Sequence, residues 1–362
     1  MFNKKICILT SGGDCSGLNA VIRAAFIKAT SLGYEVLGSK RGVQGLGEES
    51  GEIVVLDDSV CDESMLTRSG SVLLGNTRRI KNREGELCSK EEEADLFAKA
   101  YKKFGLSGVV FIGGDGSIEA IGNIMKFHKD ACLNIAIVPK TIDNDVSFTD
   151  IAIGFSTVIE VVSESIENIR TTAMSHERVM VVEVMGRDAG FIALHSGIAS
   201  GADVIIIPEF KCDDEKLLAK IKASYKRKGY CIVVVAEAAE IGDFKHGEVE
   251  IDKVTRIKYL GIGDHVVSFI QNGGFDSRLV RLGHIQRGGK TSVADRIIGS
   301  GFGIEAVSAI HKNSGVVMMA YSGGKIVSIP AEKIIGSITR NIGKDDIHLK
   351  IATELGIYVG ET

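Results

Sequence analysis

The 362-residue chain is longer than one average hydrophobic core supports, so two domains are expected. Its formal charge of -4 is spread without long like-sign blocks, and no apolar stretch is long enough to span a bilayer. Nucleic acid and membranes are therefore excluded as main partners, and a soluble, unprocessed cytoplasmic protein is expected. The seven cysteines form no C-x-x-C pair, which argues for reduced thiols rather than a disulfide framework or a zinc site.

Ile6 to Thr10 reads as a buried strand, and Ser11-Gly12-Gly13-Asp14 turns it into an amphipathic helix from about Gly17 to Leu32. A strand, Tyr34 to Ser39, follows, then a Gly-rich acidic stretch to about Glu63 that reads as irregular. Arg68 to Arg79 comes next. Its adjacent Arg78 and Arg79 could clamp phosphates, or could form a solvated basic face with Lys81 and Arg83. A helix (Glu91 to Phe104), a strand (Val109 to Ile112), a helix (Ser117 to Lys129) and a strand (Asn134 to Pro139) then alternate. Such alternation specifies a parallel sheet covered by helices on both faces.

Between the second of these strands and its helix stands Gly113-Gly114-Asp115-Gly116-Ser117. A glycine turn at a helix start offers backbone N–H groups and a positive helix end to an anion. Asp115 among those amides makes sense if a divalent cation sits between it and phosphates, although Gly and Asp also suit an ordinary turn. Pro139 leads into Lys140-Thr141-Ile142-Asp143-Asn144-Asp145, a carboxylate-rich cluster past a strand's C-terminal end, where open α/β sheets bind ligands.

The pattern then repeats. A helix (Phe155 to Thr171) and a strand (Arg178 to Val184) lead to Met185-Gly186-Arg187-Asp188-Ala189-Gly190, which begins a helix reaching about Ser200. Strand Val204 to Ile207, helix Asp213 to Lys228 and strand Ile232 to Ala236 follow, with Glu237 at the strand's end. Strand Ser277 to Leu282 runs into Gly283-His284-Ile285-Gln286-Arg287-Gly288-Gly289, where His284 and Arg287 in a glycine-flexible segment could hold a phosphate dianion. Helix Ala294 to His311, strand Val316 to Tyr321 and helix Ile347 to Leu355 complete the chain. With only three prolines, no Pro-rich linker marks the boundary, so the chain is expected to cross between domains more than once.

Taken together, Thr10 to Asp14, Gly113 to Ser117, Pro139 to Asp145, Met185-Gly186-Arg187 and Leu282 to Gly289 stand in the order and setting seen in 6-phosphofructokinases. The sequence resembles that family over nearly its full length. The resemblance implies an α/β protein of two Rossmann-like, three-layer αβα parallel-sheet domains with the active site in the cleft between them. The nucleotide-binding domain would be residues 1–154 plus about 286–335, and the fructose 6-phosphate-binding domain residues 155–285 plus about 336–362.

The same resemblance implies transfer of the γ-phosphoryl group of ATP to the 1-hydroxyl of fructose 6-phosphate, the committed step of glycolysis, with Mg²⁺ as cofactor. Asp143 would be the general base, assisted by Thr141, Arg187 and Lys140 around the moving phosphoryl group. Asp115 would hold the metal, while Gly12, Gly13, Arg78, Arg79, Gly114, Gly116 and Ser117 would line the donor. Met185, Gly186, Glu237 and the Thr141-Ile142-Asp143 segment would contact the sugar, with His284 and Arg287, flanking Ile285 and Gln286, on its 6-phosphate. Arg178 and Arg278 would reach in from a neighbouring subunit of a dimer or tetramer.

Position 140 departs from the allosteric bacterial enzymes, and position 116 from the pyrophosphate users. Lys140 replaces the glycine of the allosteric enzymes and, like the tail Leu355 to Glu361, resembles the pyrophosphate-dependent and related ATP-dependent branch. Position 116 is nevertheless glycine, where pyrophosphate users carry an aspartate that would repel the α-phosphate of ATP. ATP is therefore the expected donor, and a pyrophosphate-dependent phosphotransferase is the alternative. Arg23 and Arg170 match basic residues of the family's effector site, but Ile27 stands where another arginine would be. A non-catalytic regulatory subunit would tolerate loss of the acidic positions, and Asp115 and Asp143 are both present. A dinucleotide-binding oxidoreductase would need G-x-G-x-x-G at the first helix, which Gly12 to Gly17 does not supply.

Overall fold

A computed structural model describes residues 4–47, 52–67, 73–77, 80–81, 86–244, 246–251, 254–259 and 261–361. Arg78 and Arg79 lie outside the described residues, as do Arg68 and Arg83. In chain order the first elements are β1 (Lys4–Thr10), α1 (Leu18–Ser31), β2 (Tyr34–Ser39), α2 (Val43–Gly47), β3 (Ile53–Val55), α3 (Lys90–Lys103), β4 (Leu106–Gly113), α4 (Asp115–Phe127) and β5 (Ile135–Pro139). Then come α5 (Phe155–Ser175), β6 (Val179–Val184), α6 (Phe191–Ala199), β7 (Val204–Ile206), α7 (Asp214–Lys228) and β8 (Cys231–Ala236). The chain continues through β9 (Gly247–Ile251), β10 (Val254–Lys258), α8 (Ile262–Asn272), β11 (Ser277–Arg281), α9 (Val293–His311), β12 (Val316–Ser322), β13 (Lys325–Pro330) and α10 (Ile347–Glu354).

These elements form two compact units, and the chain crosses between them repeatedly. The first comprises Met1–Ile142, Val146–Thr157 and Arg287–Thr339; the second comprises Asp143–Asp145, Val158–Gln286 and Arg340–Thr362.

The first unit is built on a seven-stranded sheet in the order β13-β12-β5-β4-β1-β2-β3. Its five central strands are parallel, while β13 and β3 pair antiparallel at the edges. The sheet is therefore mixed where the sequence suggested a purely parallel one, because the short β3 and the half-exposed β13 carry too little apolar periodicity to read as strands. On one face Phe97 of α3 and Ile118 and Ile121 of α4 bury against Leu9, Val109 and Phe111. On the other face α9 packs so closely that a Cβ at Gly108 would lie 2.3 Å from Ile310, and one at Gly303 would lie 2.4 Å from the carbonyl oxygen of Val21 in α1.

Helices α1 and α4 thus leave adjacent strands β1 and β4 for opposite faces, which opens a crevice at the carboxyl ends of those strands. The buried Asp295 at the start of α9 accepts hydrogen bonds from the amides of Gly154 (3.0 Å) and Thr157 (2.8 Å), fixing the segment that leads into α5. The ordered N-cap of α3, a reciprocal Ser89 and Glu92 capping box, accounts for its sharp start.

The second unit has a four-stranded parallel sheet, β11-β6-β8-β7, and a separate antiparallel hairpin, β9 with β10. Strands β6, β7 and β8 are buried throughout, as parallel strands covered on both faces require, while the edge strand β11 is buried only at Ser277. The strand order reverses at β6, so the loops after β6 and β11 meet at the carboxyl edge. Here Gln286 Oε1 accepts the Met185 amide at 3.1 Å. The β9–β10 hairpin and α8 fill the stretch between Glu237 and Ser277.

Candidate active site

In the first unit three strand ends meet. The amide of Ser11 donates to Ile112 (2.9 Å) and that of Gly12 to Thr77 (3.1 Å), which places the turn after β1 beside the end of β4. Gly12 takes φ +85, and a Cβ there would stand 3.3 Å from Lys140 Nζ. Lys140 is buried, and its ammonium donates to the carbonyl oxygen of Gly13. A buried ammonium is costly unless it is solvated by protein oxygens or matched by an anion, and the Gly13 carbonyl supplies one such oxygen.

The Gly113 to Ser117 turn is packed as tightly. Lys140 donates its amide to Gly113 at 3.0 Å, and a Cβ on Gly114 would come within 2.9 Å of the Lys140 carbonyl oxygen. Only glycine allows that approach, which sets Lys140 and Thr141 against the start of α4. Asp115 is half-buried in the first turn of that helix, Ser117 is buried, and Gly116 is exposed with nothing within 4 Å of an added Cβ. Asp143 follows two residues after Thr141 and is buried, with Ile142, Asn144 and Asp145.

In the second unit the loop after β6 holds an unusual backbone. Gly186 has φ +146, and a Cβ there would collide with the Ala189 carbonyl at 2.4 Å; Arg187 is left-handed at φ +51. Glu237, at the end of β8, accepts the amides of Gly186 (3.3 Å) and Arg187 (2.9 Å) on one carboxylate oxygen. Burial raises the Glu237 pKa, the two amide bonds oppose that, and Asp143 reinforces it, so Glu237 lies within electrostatic reach of Asp143. Glu209, after β7, accepts the Gly190 amide at 2.9 Å and completes the loop's support.

Gly283–Arg287 forms a short 3₁₀ turn where the sequence suggested a flexible glycine segment. Gln286 is buried and serves the backbone, while His284 and Ile285 are exposed. Arg287 falls in the first unit and donates to the carbonyl oxygen of Asp14 at 3.0 Å. Arg178 and Arg278 come together on one carboxylate: Asp276 accepts from Arg178 Nε at 2.7 Å and from Arg278 Nη1. Arg178 and then Arg278 hold the Asp276 carboxyl below its ordinary pKa.

Among the supporting residues, the sequence singles out neither Glu209 and Asp276 nor Tyr259, which follows β10 and donates its hydroxyl to Asp188 Oδ1. Asp276 immediately precedes β11 and stands two residues before Arg278, a spacing that puts both on one face of an extended segment and could have shown the pair. The alternation in Glu248-Val249-Glu250-Ile251 and Val254-Thr255-Arg256-Ile257 is a period-two signal for the hairpin that carries Tyr259.

Comparison with known proteins agrees with this architecture. Residues 5–310 match the family described as Phosphofructokinase. The chain is 37% identical over 368 residues to the ATP-dependent 6-phosphofructokinase 1 of Nostoc sp. (strain PCC 7120), covering 99% of each. It is 39% identical over 370 residues to the ATP-dependent 6-phosphofructokinase 2 of Clostridium perfringens, covering 98% of each. A pyrophosphate–fructose 6-phosphate 1-phosphotransferase of Streptomyces coelicolor is 38% identical, with 98% of this chain and all of that protein covered. The solved pyrophosphate-dependent phosphofructokinase of Nitrosospira multiformis shares the fold at TM-score 0.81 and 23% identity, over 98% of this chain and 89% of that one.

Proposed function

The chain belongs to the phosphofructokinase family, and on that premise we propose that it is an ATP-dependent 6-phosphofructokinase making fructose 1,6-bisphosphate and ADP. The observation that carries the reading is the contact of Gly113 and Gly114 with Lys140 and Thr141, which brings an anion-binding helix start against the segment that ends in the buried Asp143. Phosphoryl transfer needs little covalent chemistry from a protein. It needs the donor's phosphates held, the acceptor hydroxyl aimed in line, and a base for its proton.

In this reading the first unit binds the nucleotide and the second the sugar phosphate. Gly12, Gly13, Gly114, Gly116 and Ser117 line the donor with backbone amides, Arg78 and Arg79 adding positive charge. Asp143 takes the proton of the 1-hydroxyl as the new P–O bond forms, and the nucleoside diphosphate leaves with the electron pair of the bond that breaks. Thr141, Lys140 and Arg187 stabilise charge on the transferring group. Met185, Gly186 and Glu237 meet the sugar, and His284 and Arg287 hold its 6-phosphate.

Among the described residues no cluster of three or more His, Cys, Asp or Glu side chains could cage a metal. A single carboxylate beside the donor turn, Asp115, suits Mg²⁺, which retains water and takes phosphate oxygens as its other ligands. When bound, the ion neutralises charge on the donor's phosphates.

Sequence identity does not choose the donor, since relatives of both kinds stand at 37–39%. Lys140 favours either donor equally, because an ammonium recognises phosphate and no nucleoside. The open space at Gly116 favours ATP. We place the enzyme in the cytoplasm as a homo-oligomer in which Arg178 and Arg278 serve a neighbouring subunit's sugar-phosphate pocket. No helix of the described residues is long and apolar enough to cross a membrane. The deciding assay gives the purified protein fructose 6-phosphate and Mg²⁺ with either ATP or pyrophosphate and follows fructose 1,6-bisphosphate. Absence of product with both donors would overturn the proposal.

A further inference from the structure

Arg187 is the only residue of its loop whose long cationic side chain makes no hydrogen bond or ion pair with any described residue. Its neighbour Asp188 is exposed and carries the opposite charge. Opposite charges on adjacent exposed residues attract, which favours drawing the guanidinium sideways onto Asp188. What occupies Asp188 instead is the hydroxyl of Tyr259, which donates to its Oδ1.

Tyr259 is itself firmly placed. It follows β10 directly, and its ring stands edge-on to His246 with centroids 5.2 Å apart and planes at 78°. His246 Nε2 donates to the carbonyl oxygen of Ala239 at 3.1 Å, two residues beyond Glu237. One short segment after β8 therefore fixes both the Arg187 amide, through Glu237, and the Asp188 carboxylate, through His246 and Tyr259. Burial, then Asp188, raises the Tyr259 pKa, so the phenol remains a donor across the working range; Glu237 acts in the same sense and Arg187 against it.

We propose that Tyr259 is a positioning residue for Arg187: by holding the Asp188 carboxylate it keeps that carboxylate off the neighbouring guanidinium and leaves Arg187 available to the transferring phosphoryl group. The inference rests on the reading that Arg187 meets that group. It assigns a role in the reaction to the β9–β10 hairpin, which otherwise has no part in it.

The test uses Tyr259→Phe, which deletes the hydroxyl and keeps the ring, and the double variant Tyr259→Phe with Asp188→Asn. The single variant should lose about tenfold in kcat, the scale of a hydrogen bond to a charged group, while KM for fructose 6-phosphate stays within about twofold. The double variant should recover to within about threefold of the parent, because Asn cannot pair with Arg187. A merely structural hydrogen bond would not be rescued by removing its acceptor's charge. Full activity of Tyr259→Phe, or a double variant as impaired as the single one, would overturn the proposal.

A second readout does not depend on turnover. Phenylglyoxal labelling of Arg187, followed by peptide mass spectrometry, should slow in Tyr259→Phe and return in the double variant, since an ion-paired guanidinium reacts less. Unchanged labelling in the single variant would overturn the latch. A parent enzyme that phosphorylates no fructose 6-phosphate would overturn the proposed reaction instead, and the labelling would still decide the role of Tyr259.

Discussion

Gly116→Asp separates the two donors. Gly116 is the second residue of α4, with an ordinary backbone angle and nothing within 4 Å of an added Cβ. The fold should accept the side chain, and a carboxylate in a helix's first turn gains about 0.3–1 kcal/mol from the macrodipole, less the repulsion from Asp115 beside it. The thermal midpoint should therefore stay within a few degrees of the parent's. The same carboxylate placed about 5 Å from the α-phosphate of ATP costs about 3 kcal/mol at an effective dielectric near 20. At 1.4 kcal/mol per decade, kcat/KM for ATP should fall about a hundredfold or more. Gly116→Asn is the control, because it is equal in size and uncharged: charge repulsion predicts a much smaller loss, and steric crowding an equal one. The assay follows fructose 1,6-bisphosphate formation with ATP or pyrophosphate, alongside thermal unfolding of each variant. An ATP kcat/KM within tenfold of the parent's in a folded Gly116→Asp would refute the electrostatic argument. So would a parent that uses pyrophosphate as well as ATP, for then Lys140 rather than Gly116 decides the donor.

Asp143→Asn should lower kcat by about two to four orders of magnitude with little change in KM for fructose 6-phosphate, measured by steady-state kinetics; near-parental turnover would remove Asp143 as the base. Mixing Asp143→Asn subunits with Arg278→Ala subunits, each inactive alone, should restore some activity if sites are shared, and verified exchange without recovery would confine Arg278 to its own subunit. Acid stability provides a fourth test. His195 packs against His348 with ring centroids 4.0 Å apart, and burial, then the His348 charge, pushes its pKa down from 6.5 to about 4. The native protein then binds fewer protons than the unfolded chain between those values, so stability is full above about pH 6.5 and falls as pH drops towards 4, by about 3 kcal/mol. Urea midpoints should decline less steeply on acidification in His195→Phe than in the parent, and identical slopes would discount His195.

The α/β class and the glycine turns were legible in the sequence because they rest on local rules. Buried parallel strands read as apolar runs in Cys231–Ala236, helices as apolar stripes between capping residues such as Asp213 and Gly229, and strand-to-helix turns as glycines between the two. Asp115 and Asp143 stood out by position, past the carboxyl ends of buried strands, rather than by residue type, since Asp is common in ordinary turns. Other parts did not stand out: β13 is exposed or half-buried throughout, and the β9–β10 hairpin has period-two alternation over only two short stretches.

Tertiary structure alone decided which of these pieces touch. Lys140 lies on Gly13 across 127 residues, and Tyr259 bonds Asp188 across 71. Asp276 joins Arg178 across 98. None of these pairings has a local signature, because a hydrogen bond between distant residues is set by the strand order and crossover connections that bring their loops to one sheet edge. A sequence constrains its neighbours through backbone sterics within a few residues. Which loop faces which is settled by how whole sheets bury their apolar faces, a property of the packed chain and of no single segment.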